Sequence, residues 1–245
     1  MSNQLIHQID NKVFTTGKSV FTFYKSFTLP TIWLRADAGI VKDGDNLVAE
    51  WQDQSGNGHH AEQSDHARKP LWVDNGLNGY PVLNFNGSSW VTSLYSTTQP
   101  FTSFIVFNFT SFTAQSVVFG GTTGGAEGRC GLQYRDFDGG LLRNYAPTLA
   151  QAQYSFNTLN TYILSTGYFN SSSSSILENG NVMASGDIGT NQLNNLGIGR
   201  ALDARSNPDL STMNGNVAEF IFYNSLLSDP QRQSVEQYLM AKYAL

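Results

Sequence analysis

With 245 residues, 13% of them charged and 13% aromatic, the chain can bury a large core and lacks the charge density of a disordered or coiled-coil sequence. Its net charge of −5 and the absence of any basic run longer than a pair exclude a phosphate-binding nucleic-acid surface. A single cysteine, Cys130, excludes an intrachain disulfide and reads as a small buried hydrophobe.

The first residues, Met1 to Gln8, show no basic segment followed by an apolar core, so no secretory signal is expected. The apolar-rich stretch 101–109 is interrupted by Thr102, Ser103 and Asn108 and is too short to span a bilayer, so no membrane insertion is expected. Residues 1–28 carry Val13, Phe14, Val20, Phe21, Phe23, Tyr24 and Phe27, too many apolar groups for a free tail. They read as an N-terminal arm that either adds an edge strand to its own domain or docks on a partner. Residues 29–245 read as one domain.

Strand signals separated by turns follow at 31–35, 47–51, 82–86, 90–94, 101–109 and 116–119. In the second of these, Leu47, Ala49 and Trp51 alternate onto one face. Both faces of 101–109 are apolar, which predicts a central strand covered on both sides. After the glycine-rich Gly120 to Gly125, strands resume at 128–134, 141–145, 162–169, 174–178, 182–185 and 217–223. Asn179-Gly180 predicts a type I′ hairpin, because both positions require positive φ. The serines at 171–175 read as a loop. Residues 226–245 form the one convincing helix, with Ser228 as cap and Gln231 as its capping-box partner.

Three motifs occur in order: Trp33-Leu34-Arg35-Ala36-Asp37-Ala38-Gly39, then Trp51-x-Asp53-x-Ser55-Gly56-Asn57-Gly58, then Asn78-Gly79-x-Pro81-Val82-Leu83-x-Phe85-x-Gly87. Together with Gly197-Ile198-Gly199, the run Asn214 to Asn224 and the terminal helix, they resemble the laminin G-like branch of the concanavalin A-like lectin/glucanase superfamily. The resemblance implies an all-β fold, a jelly-roll β-sandwich with one C-terminal α-helix.

That superfamily includes glycoside hydrolases, whose laminarinase-type members carry Glu-x-Asp-x-x-Glu on one strand; the pattern is absent here. Glu219 stands alone in an apolar strand and reads as a structural carboxylate with Arg35 or Arg200 as partner. No Ser sits in a nucleophile elbow, and His59, His60 and His66 read as loop histidines. The lyase-like relatives' Arg, Gln, His and Tyr clusters are not found in order. Calcium is the one cofactor worth considering, with incomplete ligand sets at Asp136/Asp138 and Asp53/Asn57, and Asp53 reads rather as a turn cap. The four tryptophans read as core. The mixture of rings and planar polar groups at Tyr134, Arg135, Asp136, Asp138 and Tyr145 makes this stretch the candidate carbohydrate-binding surface.

These features favour a non-catalytic, surface-exposed binding or structural module. The expected setting is a bacteriophage virion, as a fibre, tail or capsid-decorating subunit, assembled in the host cytoplasm and homo-oligomeric, with host glycans or other virion proteins as partners. The alternatives are a glycan-active enzyme of the same fold, hydrolase or lyase, and a carbohydrate-binding module of a larger secreted bacterial protein.

Overall fold

The computed structural model describes residues 29–123, 128–136, 139–146, 152–201 and 212–245. The arm at 1–28, Asp138 and part of the glycine-rich stretch lie outside the described residues.

In chain order the strands are β1 (Ile32–Arg35), β2 (Ile40–Lys42), β3 (Val48–Trp51), β4 (Ala61–Glu62), β5 (Leu71–Leu77), β6 (Tyr80–Asn86) and β7 (Val91–Thr92). They continue as β8 (Phe101–Ser111), β9 (Gln115–Gly121), β10 (Gly131–Arg135), β11 (Leu141–Tyr145) and β12 (Gln153–Ser155). The last are β13 (Ile163–Phe169), β14 (Ser174–Glu178), β15 (Asn181–Gly186), β16 (Leu196–Ile198) and β17 (Asn214–Tyr223), followed by helix α1 (Asp229–Tyr243).

They form two antiparallel sheets. The eight-stranded sheet runs β15-β14-β13-β8-β17-β6-β5, with β1 also on β17. Its partner has nine strands in the order β12-β11-β10-β9-β16-β7-β4-β3-β2. The β-sandwich with one C-terminal helix is therefore as expected. Hairpin Asn179-Gly180 has φ of 47° and 80°, the positive pair its sequence demands.

β8 explains the layering. Phe101, Ile105, Phe107 and Phe109 enter the core between the sheets, while Phe104 and Val106 enter a second apolar layer beneath α1. Both faces are buried, as the run 101–109 predicts. The helix contributes Val235, Tyr238, Leu239 and Tyr243 to that layer, and its capping box forms through Ser228 and Gln231. The outer face of the eight-stranded sheet is thus occupied by its own helix.

Sequence alternation fails at β3. Val48 and Trp51, not Leu47, Ala49 and Trp51, point into the core, because a register shift between Val41 and Lys42 places an extra residue in β3. Glu50 is thereby turned to the outside.

The polar tight turn after β3 is held by Asp53. Its carboxylate accepts hydrogen bonds from Trp33 N (2.9 Å), Ser55 N (2.9 Å), Ser55 Oγ (2.7 Å) and His59 N (3.0 Å). His60 Nδ1 accepts from Asp53 N at 3.0 Å. The turn thus pins β3 to β1, and these contacts occupy the carboxylate as a turn cap.

Candidate functional site

Strand register maps the outer face of the nine-stranded sheet. In β10, Leu132 and Tyr134 enter the core, so Gln133 and Arg135 face out. In β11, Leu142 enters the core and Asn144 reaches Ser175 O of the other sheet, so Leu141, Arg143 and Tyr145 face out. Cross-strand pairing then gives the rows Gln115–Arg135–Leu141–Ser155 and Val117–Gln133–Arg143–Gln153. A third row runs Val41–Glu50–Glu62–Thr92–Gly197–Gly120–Gly131–Tyr145.

The middle of that third row is not open. A Cβ at Gly120 would lie 2.8 Å from the Ala201 Cβ, and one at Gly197 would lie 2.4 Å from Thr122 Cγ2 and 2.7 Å from Arg200 O. These glycines let loop backbone pack flat on the sheet. Trp90, beside this roof, is half-buried between two guanidiniums, Arg200 at 4.3 Å and Arg68 at 5.0 Å from its ring centre.

Two flanks remain. On one, Glu50 and Glu62 are direct cross-strand partners, with Glu50 half-buried and Glu62 exposed. Neither carboxylate has an ion-pair or hydrogen-bond partner among the described residues. On the other, Arg135, Arg143 and Gln153 are partly covered while Val117, Gln133 and Tyr145 are buried, with the Arg143 guanidinium 5.8 Å from the Tyr145 ring.

The residues singled out from sequence divide accordingly. Arg135 and Tyr145 join the outer face, where Tyr145 is nevertheless nearly covered. Tyr134 turns inward and stacks on Phe112 at 4.1 Å, its hydroxyl donating to Asp136 Oδ1 at 3.3 Å. Burial, then the Asp136 charge, raise its pKa above the ordinary tyrosine value. Tyr134 and Asp136 line a cavity of about 350 Å³ with Gly139, Gly140, Ser155, Phe156 and Asn157 at the end of the β10–β11 hairpin. Asp138 lies outside the described residues. Among the described residues no group of three or more His, Cys, Asp or Glu side chains is placed to hold a metal ion.

Glu219 requires a correction. Its partner is Lys242, at 2.6 Å, rather than Arg35 or Arg200. Arg35 sits opposite Glu219 in register but its Nε lies 2.9 Å from Asp37 Oδ1. Glu219 also accepts from Trp33 Nε1 (2.6 Å), Tyr238 Oη (3.0 Å) and Tyr243 Oη (2.8 Å), all within the helix-covered layer. Four donors on a fully buried carboxylate make it a lock for α1, remote from the outer face. Cys130 is buried, and burial pushes its thiol well above the ordinary range. Trp33 and Trp51 are core, whereas Trp72 and Trp90 are only partly covered.

No family model and no curated protein matches the chain. Solved structures do. Domain 4 of a GH43 extracellular arabinanase from Geobacillus stearothermophilus, in complex with arabinotriose, matches with TM-score 0.58 and 14% identity over 85% of this chain and 98% of that one. A GH54 α-L-arabinofuranosidase gives TM-score 0.62 at 14% identity, over 91% of this chain and 61% of its own. The sialidase of Trypanosoma rangeli gives 0.58 at 14%, over 91% and 35%. The chain therefore spans about a third of the sialidase and three-fifths of the arabinofuranosidase. At these identities the likeness is one of fold.

The comparisons correct two expectations. These three solved structures come from glycan-active enzymes, and nothing in the comparisons supports a bacteriophage or tail-fibre setting, which corrects the expected non-catalytic virion subunit. Its chemical premise was also too narrow. Absence of Glu-x-Asp-x-x-Glu excludes two carboxylates on one strand, but Glu50 and Glu62 meet across two strands twelve residues apart in sequence.

Proposed function

We propose that this chain is a glycan-active protein of glycoside-hydrolase type, with the outer face of the nine-stranded sheet as its carbohydrate face. The observation that carries the reading is the directly opposed pair Glu50 and Glu62, without a partner among the described residues, on an outer sheet face that α1 does not cover. Directly opposed residues in an antiparallel pair have Cβ atoms about 4.5–5.5 Å apart. Retaining glycoside hydrolysis uses two carboxyls about 5–5.5 Å apart, one as nucleophile and one as acid and then base. In this reading the more covered Glu50 is the acid/base and the exposed Glu62 the nucleophile. The fold likeness to sialidase and arabinofuranosidase supports the class, and the Trp51-to-Gly58 turn supports placing the sandwich in the laminin G-like branch.

The test is reducing-sugar release from a panel of plant and bacterial polysaccharides by the full chain and by E50Q and E62Q. Each single substitution is expected to lower turnover about 10²-fold or more while leaving the fold intact. A wild-type chain that cleaves a glycan at unchanged rate in both variants sinks the assignment of these two residues.

A second reading has its own support. The arabinanase domain, matched over 98% of its length and holding arabinotriose, is one domain of a larger enzyme. A chain that binds but does not cleave glycans would be such a carbohydrate-binding module.

A further inference from the structure

We infer that the outer face of the eight-stranded sheet carries a second binding site, a row of asparagine amides that takes a neutral glycan through its hydroxyl groups. The site lies on the other sheet from Glu50 and Glu62 and goes beyond the reading above.

The apolar layer beneath α1 reaches Val82 on β6, Ala218 on β17 and Val106 on β8. Two residues farther along each strand, on the same face, stand Asn84, Asn216 and Asn108, paired directly in register as one row. With strands about 4.8 Å apart, the row spans about 10 Å. Leu71, 39% exposed, extends it beyond Asn84, and Asn86, Asn214 and Ser111 form the next row. None of these positions is charged.

Hydrogen bonding fixes which way the amides point. The Asn216 backbone N–H can only donate, and it donates to Asn108 Oδ1 at 3.1 Å. Asn216 must then give its Nδ2 to the same oxygen (2.9 Å), and Asn84 its Nδ2 to Asn216 Oδ1 (2.8 Å). Two groups are left over at opposite ends of this polarised chain, an acceptor at Asn84 Oδ1 and a donor at Asn108 Nδ2. Neither has a partner among the described residues, and both keep contact with solvent. The half-buried Asn214 amide also has no partner among the described residues, and it is seated against Gly87, where a Cβ would come within 2.9 Å of it.

A hydroxyl both donates and accepts, so it satisfies either end of such a chain, whereas a carboxylate only accepts and meets no cation in these rows. An extended peptide is a poorer occupant, because β6, β17 and β8 are interior strands with neighbours on both sides, which leaves side-chain amides rather than a free strand edge for a ligand to read. Leu71 beside Asn84 supplies apolar surface for the C–H face of a sugar ring, giving the mixture of apolar and convergent polar groups that a small-ligand site needs.

The test is NMR titration of the isotope-labelled full chain, reading affinity from the side-chain NH2 signals of Asn108, which report on this face alone. Arabinan and xylan oligosaccharides serve as neutral probes and galacturonate oligomers as acidic ones, with E50Q/E62Q run in parallel so that cleavage of a probe does not enter. The neutral series is expected to move these signals with an affinity that does not change with salt. N84A/N214A, which removes the leftover acceptor and the second amide but keeps the Asn216–Asn108 bond, is expected to bind about tenfold or more weakly, and E50Q/E62Q within about twofold of wild type. A dispersed backbone spectrum shows that N84A/N214A is folded; if it is not, the wild-type titration decides alone.

Asn108 signals that no neutral oligosaccharide moves, that galacturonate moves as readily, or that report unchanged affinity in folded N84A/N214A overturn this inference. Cleavage by wild type that E50Q and E62Q abolish leaves the glycan-active reading standing in each of those cases. Unmoved signals together with no cleavage of any polysaccharide overturn both.

Discussion

Lys242→Met is the sharpest test of what holds the helix to the sandwich. Lys242 and Glu219 are both fully buried, and their 2.6 Å contact joins the C-terminal turn of α1 to the middle of β17. Deleting one member of a buried ion pair costs about 3–5 kcal/mol, because the other charge is left without compensation. Here Glu219 keeps its bonds from Trp33, Tyr238 and Tyr243, which places the cost near the lower end, about 3 kcal/mol. For a chain of this length that is a Tm decrease of about 6–12 °C. The double variant E219Q/K242M removes both charges while retaining an acceptor for the three donors, so it should be less destabilised than K242M alone. Urea unfolding monitored by tyrosine and tryptophan fluorescence reads both quantities. A K242M loss below about 1 kcal/mol, or single-variant losses that simply add in the double variant, refutes a coupled buried pair.

Three further outcomes follow from the same contacts. Asp53→Ala leaves four donors without their acceptor and is expected to lower stability by about 3 kcal/mol, whereas Asp53→Asn, which retains one acceptor oxygen, should lose less; chemical denaturation separates them. Gly121→Ala places a Cβ 1.9 Å from the carbonyl oxygen of Gly128 and should destabilise far more than Gly58→Ala, which meets nothing within 4 Å and costs only the about 1 kcal/mol of a left-handed residue (φ +77°). Burial raises the phenol pKa of Tyr154, Tyr223, Tyr238 and Tyr243 and pushes Tyr162 up to about 12. The folded chain holds these protons while the unfolded chain releases them near pH 10. Stability present below pH 10 is therefore expected to fall as pH rises above it, and tyrosinate absorbance should appear with unfolding.

The fold was readable because its signals are local. Asn179-Gly180, the Ser228/Gln231 cap and the doubly apolar run 101–109 each depend on residues close in sequence, and each appears as expected. Short strands were less legible: β2, β4 and β16 have two or three residues, too few for alternation to register, and exist only because neighbours pair with them. β5 was hidden for another reason, since Asp74, Asn75 and Gly76 interrupt its apolar pattern at a register shift against β6.

The candidate site was nearly illegible for a reason that follows from sheets themselves. Tyr134 and Arg135 are neighbours in sequence, and a strand sends neighbours to opposite faces, so a contiguous polar-aromatic stretch cannot be one surface. What makes a surface on a sheet is register, which joined Arg143 to Gln133 and Glu50 to Glu62 from separate strands. Glu50 illustrates how small the deciding event is. Without the extra residue in β3, the alternation through Leu47, Ala49 and Trp51 would still have sent Glu50 outward, but Val48 would have faced solvent with it. The bulge buries Val48 and Trp51 together and leaves Glu50 as the outward group opposite Glu62. Like charges facing each other across strands are destabilising. Among the described residues no basic group relieves the pair, so it is a cost to stability, and E50Q or E62Q is expected to leave the fold at least as stable as the wild type by chemical denaturation.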